Sequence, residues 1–559
     1  MNLIGNINAI PFRRFRGGGG VAPFPSIPGM IARYSALGLT NEQMAENPVW
    51  KDLTGNGHDL QMKNFAWSGM SGVNGYVQNF NYFRNNTSVD KVRIDEQSSN
   101  SIKVTILTTG INNAIFIPKN TYQFNKSYFI KISSEGDNEG DLSLLFYAPS
   151  TSTATTVKVP LNPNGITEIP AIKEDDFLAV YLAVEGKVGS ITIEQLPLYP
   201  GALVFDGVDD YGVCENFPIL TKEKGYTVVA LRQWISMGEG ISGLVSNVKN
   251  WFNDGAFVLE YNSNNATNKF VNRPVSFGKV NIEMDLPNNF TYQTSKSYKG
   301  VPITTGSFKG TNSLFVGKLN NIIGNCSNVA IWELVFLDHD ATEEELTKIK
   351  DYFIKTYPWL FPDQAWTVTG KTNEDEDRAT ITNITGNGND LVLSNLGFIE
   401  GSGYNEEGEY AGYLVTDGVD DKIVSSSFGM GKDFTIVGDW KFIDNKKSGT
   451  GLVKGSSFYI YNTMIGLDLY INSGSVKNSL DGIKSINAAC SDGRAYDRNW
   501  NEILANTGNV VGSGGMLEVS SSGGRFSRIA FKNLAIYPRI LSKDDCIKAY
   551  NYLQTLKAK

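Results

Sequence analysis

The strongest constraint on how this chain of 559 residues folds is a duplication within its own sequence. Residues 53–60 read LTGNGHDL and residues 384–391 read ITGNGNDL, an offset of 331 positions. Residues 203–210 (LVFDGVDD) and 414–421 (LVTDGVDD) match at an offset of 211. Matches that recur in the same order predict two copies of one folding module.

A third match closes each copy, and the change in offset locates an insertion. The segment that opens at Ser327 (SNVAIWELVFL) matches the one that opens at Ser527 (SRIAFKNLAIY) at an offset of 200. The fall from 331 to 211 means that the first copy carries about 120 extra residues between its first two motifs. We therefore divide the chain into an N-terminal segment (1–30), module 1 (31–78 and 201–360), an insert (79–200) and module 2 (361–559).

Local patterns predict an all-β protein in which a short helix closes each module. The TGNG and DGVDD motifs combine Gly with Asn and Asp, which is typical of tight turns at strand ends. The insert contains short β-branched and aromatic alternations separated by turn residues, which predicts a β-sandwich set into a loop of module 1. After the last strand of each copy, Thr342 and Ser542 are predicted N-caps, with Glu345 and Asp545 three residues later.

Composition excludes several classes of protein. A hydrophobic fraction of 41% with 19% charged residues is typical of folded domains rather than disordered chains. The net charge of −8 argues against a nucleic-acid partner. No apolar run reaches the length of a transmembrane helix, so we expect no membrane insertion. The four cysteines are far apart and indicate neither a disulfide framework nor a zinc site.

The motif order resembles that of laminin-G-like, concanavalin-A-like β-sandwich domains. It looks especially like the version found in fibre proteins of crAss-like phages and prophages of Bacteroidales, and residues 50–60 (WKDLTGNGHDL) and 64–69 (NFAWSG) are the most specific part. The resemblance implies tandem two-sheet jelly rolls that often bind glycans, sometimes with calcium. It also implies that a fibre of this kind is a homotrimer.

We therefore interpret the chain as a non-enzymatic virion protein, a head or tail fibre, made in the cytoplasm of the host bacterium. Its expected partners are other capsid or tail proteins and a polysaccharide of the host surface. One alternative is a bacterial cell-surface glycan-binding protein, which would need an export signal that the N-terminal pattern lacks. The second alternative is a glycoside hydrolase.

The hydrolase alternative depends on one pair of acids. Glu283 and Asp285 lie two positions apart on a predicted strand, which places both carboxylates on one face. A retaining glycosidase needs two carboxyl groups about 5–5.5 Å apart. The pair resembles the start of the acidic motif of one such family, which continues with a third acid. In this chain Pro287 and Asn288 stand where that acid would be, and module 2 has no counterpart of the pair. We therefore expect no catalytic residues.

Three other sets of residues are candidates for binding. The repeated acids are candidate calcium ligands, although a turn-capping role without metal is the simpler interpretation: Asp206, Asp209 and Asp210 in module 1, and Asp417, Asp420 and Asp421 in module 2. Trp251 and Phe252 are candidate platforms for sugar rings, although packing in a core is the default for such side chains.

The third set lies in the N-terminal segment, which combines basic and apolar residues with a glycine run and prolines. We expect it to anchor the chain to a particle, with a flexible stretch at residues 17–20 and a stiff spacer at Pro23, Pro25 and Pro28. The candidate anchoring residues are Ile10, Phe12, Arg13, Arg14, Phe15 and Arg16.

Overall fold

A computed structural model defines the fold. It describes residues 23–108, 115–135, 141–148, 155–175, 177–185, 189–236, 241–248, 257–263, 271–273, 282–283, 289–302, 310–320, 326–429, 431–443, 450–454, 458–462, 466–471, 479–481, 486–504, 514–522 and 525–558.

Module 1 is built from two antiparallel sheets. Sheet 1 contains, in spatial order, Val301–Pro302, Ser297–Tyr298, Phe290–Thr294, Thr227–Ser236, Asn328–Leu337, Leu203–Asp206 and Gly72–Val73, with Met30–Ser35 also paired to Asn328–Leu337. Sheet 2 contains Val49–Trp50, Leu60–Lys63, Tyr211–Cys214, Gly310–Val316, Ile241–Val248, Val258–Ser263, Val271–Arg273 and Ile282–Glu283.

The described strands of the insert pair only among themselves. Sheet 3 has the order Val157–Pro160, Asp141–Tyr147, Ala179–Glu185, Ile115–Pro118 and Arg84–Asn85. Sheet 4 has the order Ile166–Ile169, Tyr128–Glu135, Gly189–Gln195, Ser101–Ile106 and Val92–Gln97. Alternate residues of these strands enter one apolar core between the sheets, which includes Ile102, Val104 and Ile106.

Module 2 repeats the two-sheet arrangement. Sheet 5 contains Gly403–Asn405, Tyr413–Val415, Ile529–Tyr537, Thr435–Phe442, Ile486–Cys490, Arg494–Asp497 and Glu502–Leu504, with Gln364–Thr367 also paired to Ile529–Tyr537. Sheet 6 contains Thr380–Ile381, Leu391–Ser394, Lys422–Ser425, Glu518–Val519, Thr450–Lys454, Phe458–Asn462, Gly466–Ile471 and Ser479–Asp481. Two short ribbons pair Phe428–Gly429 with Gly514–Gly515, and Ser521–Ser522 with Arg525–Phe526.

Three α-helices and three 3₁₀ turns complete the described secondary structure. The helices are α1 (Asn41–Glu46), α2 (Glu343–Thr356) and α3 (Lys543–Gln554), and the 3₁₀ turns are Phe80–Tyr82, Lys119–Thr121 and Pro358–Leu360. The predicted caps of the last two helices are confirmed. Thr342 and Glu345 form a reciprocal capping box, and the Ser542 side chain accepts from the N–H of Asp545.

Helices α2 and α3 bury their apolar stripes in a single core that all three parts of the chain share. This core includes Phe129 of the insert, Trp332 of module 1 and Trp500 of module 2, together with Phe353 of α2 and Leu553 of α3. It explains why the ten-residue strand Asn328–Leu337 is apolar at nearly every position: one face packs in the sandwich and the other packs against this shared core. The insert and the two modules therefore form one packed body.

The proline-containing segment before the first strand differs from its predicted role as a free spacer. Ile27 is 5% exposed and joins the shared core, and the Phe24 ring lies 4.2 Å from the Arg33 guanidinium carbon. Phe24 also packs edge-on against Tyr352 of α2. The prolines fix an extended backbone that places these apolar side chains on module 1, so this segment is part of the folded body.

The fold class predicted from the sequence, all-β with packed sandwiches, is confirmed. The exact domain boundaries stay a prediction. In the part of the chain that the structure describes, no helix combines the length and apolar character needed to cross a membrane. All four cysteines are buried free thiols.

Candidate functional site

The DGVDD acids of module 1 organise a turn. One oxygen of Asp206 accepts from the N–H of Val208 (2.8 Å) and of Asp209 (3.4 Å). Asp210 is fully buried, and its two oxygens accept from the N–H of Asp206 (3.0 Å) and the hydroxyl of Ser71 (3.0 Å). The last acid of the motif therefore ties this turn to the strand connection that follows TGNG.

Module 2 repeats these contacts almost atom for atom. Asp417 accepts from Val419 (2.7 Å) and Asp420 (3.4 Å), and Asp421 accepts from the N–H of Asp417 (2.7 Å) and from Ser402 (3.0 Å). Ser402 lies 331 positions after Ser71, the same offset as the TGNG motifs. The repeated contacts explain why both copies need the same acids without any ligand.

Both clusters are also the right size for a cation, since their ligand atoms lie within 4.8 Å of one another. Burial and the charges of Asp206 and Asp209 raise the pKa of Asp210 to about 7, and burial raises the pKa of Asp421 as well. Calcium needs six to eight oxygens, and both oxygens of Asp210 are already occupied by donors. The acids could hold a metal ion, but alone they do not complete a calcium site.

Several other sequence candidates lie outside the described residues. These are the anchoring residues Ile10, Phe12, Arg13, Arg14, Phe15 and Arg16, the aromatic pair Trp251 and Phe252, and Asp285. Glu283 lies on the short strand Ile282–Glu283 at the edge of sheet 2. The structure thus brings together the three acids within each aspartate cluster. The other sequence candidates stay predictions.

A cleft of about 450 Å³, which the sequence patterns do not predict, lies between the insert and module 2. We call it the junction cleft. Residues 131–133 and 164–166 of the insert form one wall, and residues 499–501 and 543–551 of module 2 form the other. On α3, residues 543, 544, 547, 548 and 551 share one face because their spacing matches the helical turn. Residues 196–200 contribute the remaining contacts.

A rigid turn presents the module 2 wall. The side chain of Asp497 accepts from the N–H of Asn499 (2.9 Å) and of Asn501 (2.8 Å), and Trp500 adopts a left-handed backbone with φ 60°. The Trp500 ring is 1% exposed and packs edge-on against Tyr550 of α3 at 5.6 Å. The buried ring holds the turn, so that the two flanking amides are exposed at the cleft.

The charged residues that line the junction cleft are mainly cationic. The cleft contains Lys131, Lys543 and Lys548, but Asp544 is the one acid among its lining residues. A second cleft of about 290 Å³ between the modules also has a single acid in its lining, Asp363. Most glycoside hydrolases use a pair of carboxyl groups, and the lining of each of these two clefts contains a single carboxyl group.

Residues of this cleft were missed by sequence reasoning because they come from segments more than 300 positions apart. The Asn499–Trp500–Asn501 run does not mark a binding site by itself, since the Trp500 ring is 1% exposed and packs in the shared core. Its partners in the insert, such as Asn164, cannot be identified before the packing of the three parts is known.

No protein-family model matches this sequence, and no curated protein matches it either. Among solved structures, the Trypanosoma rangeli sialidase in complex with sialic acid is 10% identical, with 84% of this chain and 85% of that chain covered and a TM-score of 0.23. The binding domain of Botulinum neurotoxin serotype D is also 10% identical, with 62% of this chain and 89% of that chain covered and a TM-score of 0.21. Superpositions this poor carry no argument about function.

Proposed function

We propose that this chain is a non-enzymatic virion protein, a head or tail fibre, that binds a polysaccharide of the host surface in the junction cleft. The observation that carries the proposal is the cleft itself. Its volume of about 450 Å³ is within the usual range for small-ligand sites, and amides and lysines line it. Such groups donate hydrogen bonds to the hydroxyl and carbonyl oxygens of a sugar chain.

The shared core supports a preformed binding site. Asn551 of α3 donates to the carbonyl oxygen of Pro197 at 3.2 Å, and Phe129 of the insert packs edge-on against Tyr550 at 5.3 Å. Because the two walls of the cleft are joined through one core, little ordering is needed when a ligand binds. Preorganisation of this kind lowers the entropic cost of association.

Binding without cleavage is supported by the acids of the cleft. Asp544 is the one acid among the lining residues of the cleft. A single carboxyl group supplies only half of the usual pair of catalytic carboxyl groups. Two ion-paired acids of module 1, Glu260 with Arg232 and Glu333 with Arg33, are fully buried, so substrate does not reach them.

Attachment to the particle is assigned to residues 1–22, which precede the described part of the chain. Phe24 and Ile27 are packed on module 1, so this anchor would leave the body at a fixed point. Trimer formation is part of the proposal and follows from the fibre resemblance. Mass measurement of the purified chain by light scattering tests it, with a single-chain mass of 61.4 kDa as the contrary result.

Two measurements test the proposal as a whole. Mass spectrometry of purified particles should detect the chain in a fixed ratio to the capsid protein. The purified chain should also bind host cells, and enzymatic or genetic removal of their surface polysaccharide should abolish binding. Absence from particles would contradict the virion role, and undiminished binding to stripped cells would contradict the glycan role.

A further inference from the structure

The outer face of sheet 5 carries a group of side chains that the proposed cleft does not use. Lys441 and Lys532 lie side by side there, with their ammonium groups 4.5 Å and 5.7 Å from the centre of the Tyr413 ring. Next to them, Tyr410 and Ile443 are partly exposed and pack against a small apolar cluster. We call these five residues the lysine face.

Within the described part of the chain, neither lysine has a carboxylate partner of its own. Among the described residues, no carboxylate lies within 4.0 Å of either ammonium group. The acids nearby are engaged elsewhere: Glu168 pairs with Arg498 at 2.6 Å, and Asp439 accepts from the Tyr413 hydroxyl at 2.8 Å. Beside Tyr410 lie Arg528 and Glu409, whose carboxylate accepts from the Tyr410 hydroxyl. Among the described residues, four cations therefore face three carboxylates.

The cationic excess is partly desolvated. Burial and the neighbouring Arg498 lower the pKa of Lys441, and Lys532 adds to this effect. Like charges held together in a half-buried position repel one another, so their proximity opposes folding. A bound anion would neutralise this excess.

Comparison of the two modules indicates that the fold does not require these lysines. The strand pairings place Gln233 opposite Ala330 in module 1 and Lys441 opposite Ala530 in module 2. The offset of 200 makes Trp332 the counterpart of Lys532.

In module 1 this face is covered, because Gln233 donates to the hydroxyl of Thr555 and the Trp332 indole donates to the carbonyl of Pro200. Module 2 carries the cations at these two positions, where uncharged side chains serve the fold in module 1.

We infer that the lysine face binds an anionic sugar unit, with Lys441 and Lys532 holding its carboxylate or sulfate group and Tyr410 and Ile443 contacting its apolar ring face. Sugars combine an apolar ring face with polar edges, and an acidic sugar adds one charged group. The lysine face offers the complementary surfaces side by side. Lysine suits this role as a compact charge with three donors.

This inference rests on the proposed function only in taking the host polysaccharide as the source of the acidic sugar. Binding of purified polymers tests it separately. The full chain should bind polygalacturonate, dextran sulfate or both, and bind neutral dextran at least about tenfold more weakly, as expected for loss of paired charges. The polymer that binds identifies the anionic group as carboxylate or sulfate.

Paired variants locate the site. The double variant Lys441→Gln with Lys532→Gln should weaken polyanion binding about tenfold or more. The control Lys222→Gln with Lys224→Gln makes the same charge change at exposed positions of module 1 and should leave affinity within about twofold. If the glutamine variant fails to fold, the Lys441→Arg and Lys532→Arg variant, which keeps both charges, should retain binding.

A further variant separates sugar recognition from simple attraction to charge. Tyr410→Ala keeps the lysines and should weaken binding of the acidic polysaccharide but not of inorganic polyphosphate. Three results would overturn the inference. They are an equal loss of affinity in the Lys222 and Lys224 control, absence of binding to both acidic polymers, and binding of polyphosphate as tight as that of the polysaccharide.

Discussion

The carboxylate of Glu168 in the insert accepts a hydrogen bond of 2.6 Å from the guanidinium of Arg498 in module 2, across a sequence separation of 330 residues. The same guanidinium lies 4.0 Å from Asp439, which is 2% exposed and also accepts from Tyr413. This network lies between the junction cleft and the lysine face and joins the insert to module 2.

This network predicts that substitutions of Glu168 and of Arg498 lower the free energy of unfolding by different amounts. Glu168→Gln should cost about 1 kcal/mol of unfolding free energy, since the pair is partly exposed. Arg498→Met should cost about 1–2 kcal/mol more, because it leaves the buried Asp439 without its guanidinium. Urea denaturation of both variants and of the double variant measures the coupling between the two side chains. Equal losses of unfolding free energy in the two single variants would show that Arg498 does not stabilise the Asp439 carboxylate.

The buried acid of the first DGVDD turn predicts a pH dependence. The folded-state pKa of Asp210 is raised from 3.8 to about 7, so the folded chain binds more protons than the unfolded chain between those values. The contribution of Asp210 to stability is therefore largest at low pH and falls as pH rises from about 4 to about 7.

Asp210→Asn should remove this slope and raise the unfolding free energy at pH 8 by about 1–2 kcal/mol, because an amide oxygen still accepts from Asp206. The exposed neighbour provides the control, Asp209→Asn, which should change the slope little. A bound calcium ion would keep Asp210 ionised, so a rise in melting temperature on adding calcium that Asp210→Asn abolishes would contradict the metal-free turn.

Two truncations separate the anchor from the folded body. Removal of residues 1–20 should leave the melting temperature unchanged and abolish incorporation into particles. Removal of residues 1–29 should also lower the melting temperature, because it deletes Ile27 from the shared core; loss of a buried Ile side chain typically costs about 2–5 kcal/mol. Normal incorporation of the shorter truncation would show that attachment runs through a sandwich instead.

The binding assignment predicts no hydrolysis. Incubation of the chain with host-surface polysaccharides should release no new reducing ends. Glu283→Gln and Asp544→Asn serve as reference variants, and both should be indistinguishable from the wild type. Product release that either substitution eliminates would assign a glycoside hydrolase activity to that residue.

Sequence patterns predicted the features that local chemistry determines. The caps Thr342 and Ser542 follow from residue type and spacing, and the strands of the insert follow from alternation, except for weak ones such as Ile166–Ile169. The junction cleft was not predictable, because it depends on α3 packing against both module 1 and the insert. An amphipathic helix predicts that its stripe is buried, but it does not specify which surface covers that stripe.

The most direct test of the central claim is the affinity of a cleft variant for host-surface polysaccharide, measured by calorimetry. Asn499→Ala with Lys543→Ala changes two exposed cleft residues, and Asn81→Ala with Lys222→Ala makes the same changes on other exposed surfaces. Binding in the junction cleft predicts about tenfold or greater weakening for the first pair and less than about twofold for the second, with melting temperatures unchanged. Equal affinity of both pairs and the wild type would place the glycan elsewhere and contradict the account.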